Sequence, residues 1–189
     1  NEVEDWAEKN GGFKRHRFFR TSGSSGKEKW VALSDEALEW SARSVIGALG
    51  IDSNDVLGLA LPVTHVGGYG MVLRAEISGA SLLKLEVRWN AGSFADWCDV
   101  NRVTVSSLVP AQVYDLVSAR LSCPTFMRNV VVGGGPLDGE LAKKARDLGW
   151  PVIPSYGMTE TSSQVATGDG LPLLQGWEAK IMEGRLALK

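Results

Sequence analysis

Four short clusters hold the residue types from which an anion-handling site is made. The first is Thr21-Ser22-Gly23-Ser24-Ser25-Gly26-Lys27-Glu28-Lys29. Its glycines let successive backbone N–H groups converge on an anion, its hydroxyls add donors, and Lys27 and Lys29 add positive charge. That combination suits a polyphosphate. It is not a Walker A loop, because Thr21 stands where the first glycine would be. A flexible Gly/Ser hairpin loop is the other reading these residues leave open. The second cluster, Ser155-Tyr156-Gly157-Met158-Thr159-Glu160, sets an aromatic ring, a hydroxyl and a carboxylate side by side. Taken alone it also fits a Tyr-Gly turn leading into a helix cap. The third, Gly133-Gly134-Gly135-Pro136, follows the apolar run Val130-Val131-Val132 as a tight turn. The fourth, Thr64-His65-Val66-Gly67-Gly68, places a histidine just before a glycine-rich helix start.

The elements that must position these clusters follow from apolar patterning. Phe18 and Phe19 suggest a strand feeding the first loop, and residues 30–33 a strand leaving it. Ser34 is a plausible N-cap for a helix over residues 35–49 closed by Gly50. Strands are expected at 56–61, 81–85, 103–108, 130–132 and from 152, ending near Tyr156. Helices are expected at 67–78, 94–101, 111–119 and 137–148. Alternation of this kind gives an α/β fold, a mostly parallel sheet flanked by helices. Past Gln164 the pattern changes, and two alternating runs around a Glu183-Gly184 turn read as a small antiparallel β element. The expected division is therefore a core over residues 1–163, including the loop at 21–29, and a small β element over 164–189. The glycine-rich and polar clusters fall at strand-to-helix loops, where ligands of parallel sheets bind, so one shared cleft is expected.

Bulk properties exclude several classes. The formal net charge is −2, with 22% charged residues, which provides no general field for nucleic acid. The run Lys14-Arg15-His16-Arg17 reads as a solvated strand end. No apolar stretch reaches the roughly 18 to 20 residues a membrane span needs. Two histidines exclude a His-rich metal site. Cys98 and Cys123 show no metal-like spacing and read as reduced, partly buried thiols of a cytoplasmic protein. The start at Asn1 without Met, and the end at what reads as a strand, suggest a piece of a longer chain.

Together the clusters resemble the acyl-adenylate-forming superfamily. Residues 21–29 are similar to its phosphate loop, Ser/Thr-Ser-Gly-Ser/Thr-Thr-Gly-x-Pro-Lys, with Ser25 in place of Thr and Glu28 in place of Pro. Tyr156-Gly157-Met158-Thr159-Glu160 matches its Tyr-Gly-x-Thr-Glu motif without departure. The resemblance implies that Tyr156 stacks on adenine, Thr159 bonds the α-phosphate and Glu160 binds Mg²⁺. Each role suits the chemistry: an aromatic face for a base, a hydroxyl for a phosphate oxygen, a hard anion for a hard cation. It further implies that Thr21, Ser22, Gly23, Ser24, Ser25, Gly26 and Lys29 cradle phosphate, Lys29 also serving catalysis. Gly133, Gly134, Gly135 and Pro136, with Ser155 and Gly157, would border the adenine. The cofactors so implied are ATP and Mg²⁺, with CoA as co-substrate.

Within the superfamily the sequence is most similar to ligases that join o-succinylbenzoate to CoA in menaquinone biosynthesis. That similarity rests on His65-Val66-Gly67-Gly68 through Leu73-Arg74 to Ser78-Gly79-Ala80, on Val105-Ser106-Ser107-Leu108-Val109-Pro110-Ala111-Gln112, and on Gly157-Met158-Thr159-Glu160-Thr161-Ser162-Ser163-Gln164. His65, Gly67, Arg74, Ser107 and Met158 are then the candidate substrate pocket. A dicarboxylate needs one carboxyl held while the other reacts, and Arg74 is the cation available, with Ser107, Gln112 and Thr161 as neutral donors. Another aryl- or fatty-acid–CoA ligase, or a nucleotide-binding fragment with little turnover, stays open. The expected partners are small molecules, a carboxylate with ATP and CoA, and a homodimer is also open. The family's ribose-binding aspartate, hinge and small C-terminal lid domain do not follow Lys189.

Overall fold

In the computed structural model, residues 2–9, 13, 15–21 and 28–189 are described. Ser22, Gly23, Ser24, Ser25, Gly26 and Lys27, the centre of the first cluster, lie outside them.

The chain begins with α1 (Glu2–Lys9) and then a hairpin of β1 (His16–Thr21) and β2 (Lys29–Ser34). The strands pair antiparallel, Thr21 opposite Lys29. Helix α2 (Asp35–Leu49) follows at once. Its Ser34 cap accepts from the Ala37 N–H at 3.2 Å, and Gly50 closes it in the left-handed conformation at φ 60°. These are the cap residues that sequence rules predict.

A six-stranded sheet follows, in the order β4-β3-β5-β6-β7-β8. It comprises β3 (Val56–Leu59), β4 (Ser81–Lys84), β5 (Val105–Leu108), β6 (Asn129–Val132), β7 (Val152–Met158) and β8 (Ser163–Thr167). Every pair is parallel except β7–β8. Helices α3 (Val66–Ser78), α4 (Ala91–Val100), α5 (Pro110–Ser118) and α6 (Gly139–Asp147) make the crossovers. Leu57, Leu59 and Val105 pack with Met71 and Ala75 on one face. Leu108, Val130 and Val132 pack with Phe94, Cys98, Leu116 and Trp150 on the other. Burial on both faces is why these strands read as near-continuous apolar runs. Phe19 and Leu33 fasten the hairpin to Leu38 of α2 and to Tyr69 of α3.

The chain leaves β3 for β4 on one side and returns to β5 on the other. The carboxyl ends of β3 and β5 therefore flank a topological switch point, where crevices open in such sheets. At the opposite end, burial opposes ionisation of Asp55. Hydrogen bonds from Arg128, from Thr104 Oγ1 at 2.7 Å and from the Asp52 N–H outweigh it and bring its pKa down to about 2. Arg128 also donates to Leu49 O and Gly50 O at 2.7 and 2.9 Å, tying the end of α2 to the sheet.

One expected boundary is corrected. The main sheet does not stop at residue 163, because β8 runs to Thr167 and pairs with β7. The small antiparallel element is β9 (Ala179–Met182) with β10 (Arg185–Leu188), joined through Glu183 at φ 52° and Gly184 at φ 75°. Consecutive left-handed residues are the geometry of a type I′ hairpin turn.

Candidate functional site

Lys29 and Glu160 are 131 residues apart in sequence, and their side chains form an ion pair. Lys29 opens β2 at the mouth of the hairpin loop, and Glu160 sits in the single 3-10 turn Thr159–Thr161 between β7 and β8. The fold thus brings the first two clusters together. The hydrogen bond from Lys29, and then one from backbone, hold the Glu160 carboxyl below its ordinary value. Both groups remain about half exposed, so each stays accessible to a ligand.

On the same face of β1, Thr21 Oγ1 is buried and has no partner among the described residues. A buried hydroxyl without a partner is costly unless a ligand or water completes it. Glu28 is turned elsewhere. In the alternating pleat it shares the face of Arg20 and Trp30, and its carboxylate is ion-paired with Arg20. The proline replaced by Glu28 thus leaves no unpaired negative charge beside Lys29.

The turn that carries Thr159 and Glu160 is tightly defined. Thr161 Oγ1 accepts from the Met158 N–H at 3.1 Å and donates to Met158 O at 2.9 Å. Gly157 lies so close to the returning strand that a Cβ there would stand 1.6 Å from Ser163 O. The Tyr156 ring is exposed beside it, at 38%. Across the strand ends, Ser155 Oγ donates to Val132 O at 3.0 Å and rests where a Gly133 side chain would be, at 2.8 Å. Gly134, Gly135 and Pro136 continue outward as an exposed turn, with Gly134 at φ 77°. The third cluster therefore borders the second, edge to edge.

The fourth cluster splits. His65 is exposed at the start of α3, and its side chain makes no capping hydrogen bond. Gly67 is half-buried against Leu61. Gly68 packs on Pro62 so closely that a Cβ would lie 2.2 Å from Pro62 O. Arg74, two turns into α3, is 1% exposed. Its Nη1 lies 3.5 Å from Met71 Sδ, and Nε has no partner among the described residues. Burial lowers its pKa to about 10. Ser107 Oγ, at the end of β5, meets the same sulfur from the other side at 3.2 Å. An arginine on a helix is usually a surface charge, so this burial with no counter-charge among the described residues is a strong departure. Met158 is exposed at the lip of the motif.

Two suggested donors are otherwise engaged. Gln112 Oε1 accepts from the Val109 N–H at 2.9 Å to cap α5, and the Thr161 hydroxyl closes its own turn. Among the described residues no group of three His, Cys, Asp or Glu side chains could hold a metal. A cation bound through one carboxylate and nucleotide phosphates needs no such group, so Glu160 alone fits Mg²⁺. Asp169 pairs with Arg146 at 2.7 Å on the surface. Sequence reasoning missed Ser41, whose Oγ donates to Ser162 O at 2.8 Å. No local pattern marks a contact across 121 residues.

A family model described as AMP-binding enzyme matches residues 18–184. The 2-succinylbenzoate–CoA ligase of Bacillus subtilis (strain 168) is 34% identical over 147 residues, 78% of this chain and 30% of the relative. That of Oceanobacillus iheyensis is 35% identical over 150 residues, 78% of this chain and 31% of the relative. Among solved structures, o-succinylbenzoate coenzyme A synthetase (MenE) from Bacillus subtilis, in complex with ATP and magnesium ion, superposes with a TM-score of 0.81. It is 30% identical over 90% of this chain and 38% of that one. The same enzyme in complex with the acyl-adenylate intermediate OSB-AMP gives the same score, covering 47% of its chain. The chain thus spans about a third of the length of the curated relatives it matches.

Proposed function

This chain belongs to the AMP-binding enzyme family, and from that premise we propose that it carries the nucleotide-handling core of an ATP-dependent carboxylate–CoA ligase. The observation that supports this most is the Lys29–Glu160 contact, which joins the last residue of the first cluster to the Tyr-Gly-Met-Thr-Glu motif. The reading gives Tyr156 the adenine, with Gly133, Gly134, Gly135, Pro136, Ser155 and Gly157 along its edge. Thr21, Lys29 and Thr159 take phosphate oxygens, and Ser22, Gly23, Ser24, Ser25 and Gly26 are proposed to complete the cradle. Glu160 holds the metal, which supplies charge neutralisation on the phosphates.

In the first half-reaction a carboxylate oxygen attacks the α-phosphorus of ATP and pyrophosphate leaves. In the second, the thiol of CoA attacks the acyl carbon and AMP leaves. A carboxylate is already a nucleophile, so the first step needs alignment and charge stabilisation rather than a general base. Lys29 and Thr159 meet that need.

For substrate, the reading favours o-succinylbenzoate, and with it a place in menaquinone biosynthesis. Arg74 supports this, because a buried guanidinium with no counter-charge among the described residues suits the second carboxylate of a dicarboxylate. Ser107 borders it through Met71, and His65, Gly67 and Met158 form the approach. Two unpaired thiols, Cys98 and Cys123, suit a reducing compartment, which supports a cytoplasmic setting for the proposed reaction.

A second reading rests on length: covering about a third of its relatives, this chain holds nucleotide and turns over little. Pyrophosphate exchange dependent on o-succinylbenzoate separates the two. Exchange well above a no-acid blank supports the ligase. Nucleotide binding without exchange favours the second reading.

A further inference from the structure

The reversal between the 3-10 turn and β8 is made by Ser162 at φ 56° and Ser163 at φ 103°, consecutive non-glycine residues with positive φ. Such residues cost about 1 to 3 kcal/mol each and persist only where their surroundings over-determine them. Four contacts do so here. The Ser162 N–H donates to Thr159 O at 3.0 Å, and Thr161 Oγ1 donates to Met158 O while lying 3.3 Å from Ser163 O. Gly157 leaves room for Ser163 O. The fourth comes from outside the motif: Ser41, 2% exposed on α2, donates its hydroxyl to Ser162 O at 2.8 Å.

Helix α2 is the element that directly follows β2, and β2 begins at Lys29. One rigid path therefore runs from Lys29 through β2 and α2 to Ser41, and from Ser41 through Ser162 back to Glu160. We propose that Ser41 is a positioning residue for the nucleotide site, holding the strained Ser162–Ser163 reversal so that Thr159 and Glu160 face Lys29. It touches no ligand itself. Without its hydroxyl, Ser162 O is buried and unmatched, the reversal relaxes toward ordinary φ, and Glu160 drifts from Lys29. The inference rests on the nucleotide reading above, and adds a residue that the motif does not contain.

The experiment is a double-mutant cycle on this chain, reading MgATP affinity by calorimetry. Ser41→Ala is expected to weaken binding about tenfold, and Glu160→Gln to weaken it further. In the Glu160→Gln background, Ser41→Ala is expected to lose most of its effect, keeping only the part that passes through Thr159. Ser163→Gly supplies an independent arm: relief of strain raises Tm while MgATP affinity falls, opposite signs that a purely structural role does not give. Ser41→Ala binding MgATP as the parent does overturns the proposal, as do additive losses in the cycle. If Ser41→Ala fails to fold, the Ser163→Gly arm decides, and unchanged affinity there is equally fatal. A parent chain that binds no MgATP instead defeats the nucleotide reading, a separate result.

Discussion

Arg74 is the residue whose environment departs furthest from what its type predicts. A guanidinium buried beside Met71 and Gly70 loses its hydration and, among the described residues, gains only a thioether in exchange. Replacing such a group with an apolar side chain of similar length often stabilises a fold. Arg74→Met is therefore expected to raise Tm in the absence of ligand and to abolish binding of o-succinylbenzoate, measured by thermal melts with and without the acid. A fall in both would make Arg74 purely structural. At the other end of the cleft, Lys29→Met removes the cation that lowers the Glu160 pKa. MgATP affinity is expected to fall at least tenfold, or about 1.4 kcal/mol, with little change in Tm, because an exposed pair contributes little to stability. Most of these residues could be singled out in the sequence, since motifs preserve residue type and order. Burial was not legible there. Nothing in the run Val72-Leu73-Arg74 distinguishes a buried arginine from an exposed one.

At the scale of elements, legibility followed the physics of local signals. Helix α2 was read to the residue because both ends carry strong caps, Ser34 and Gly50. The β9–β10 hairpin was found from its turn. Strand β8 was missed because Gln164 and Thr167 are buried polar residues that satisfy each other at 2.6 Å, which hides the strand behind a loop-like composition. The site depends on this strand, since Gly157 on β7 and Ser163 on β8 are in direct contact. Gly157→Ala is expected to displace the reversal and lower Tm, since a Cβ would overlap a backbone oxygen that has no room to retreat. Normal melting of that variant would mean the strands can separate there. The Asp55–Arg128 cluster belongs to the same scale. The carboxyl falls from 3.8 to about 2 on folding, so its contribution, about 2 kcal/mol, is fully present above pH 4. It is lost as pH falls through 2. Urea titrations across that window should show Asp55→Asn losing this acid-sensitive increment while binding MgATP as the parent does at neutral pH.

For the whole molecule, architecture and site locate each other. The strand order places its switch point between β3 and β5, while the polar clusters collect at the carboxyl ends of β3, β6 and β7. Helix α2 joins the hairpin to the reversal before β8. Sequence alone left the loop at residues 21–29 open between a phosphate cradle and a flexible hairpin. Its two ends, Thr21 and Lys29, pair across antiparallel strands, and the fold sets Lys29 against Glu160. No sequence rule could supply that proximity, because it arises from contacts such as Ser41 to Ser162, which join residues 121 apart in the chain.

Calorimetric titration of MgATP into this chain, beside Thr159→Ala and Glu160→Ala, tests the central claim most directly. The account predicts saturable one-site binding by the parent, weakened at least tenfold in each variant. No binding by the parent, or equal binding by all three proteins, would contradict it.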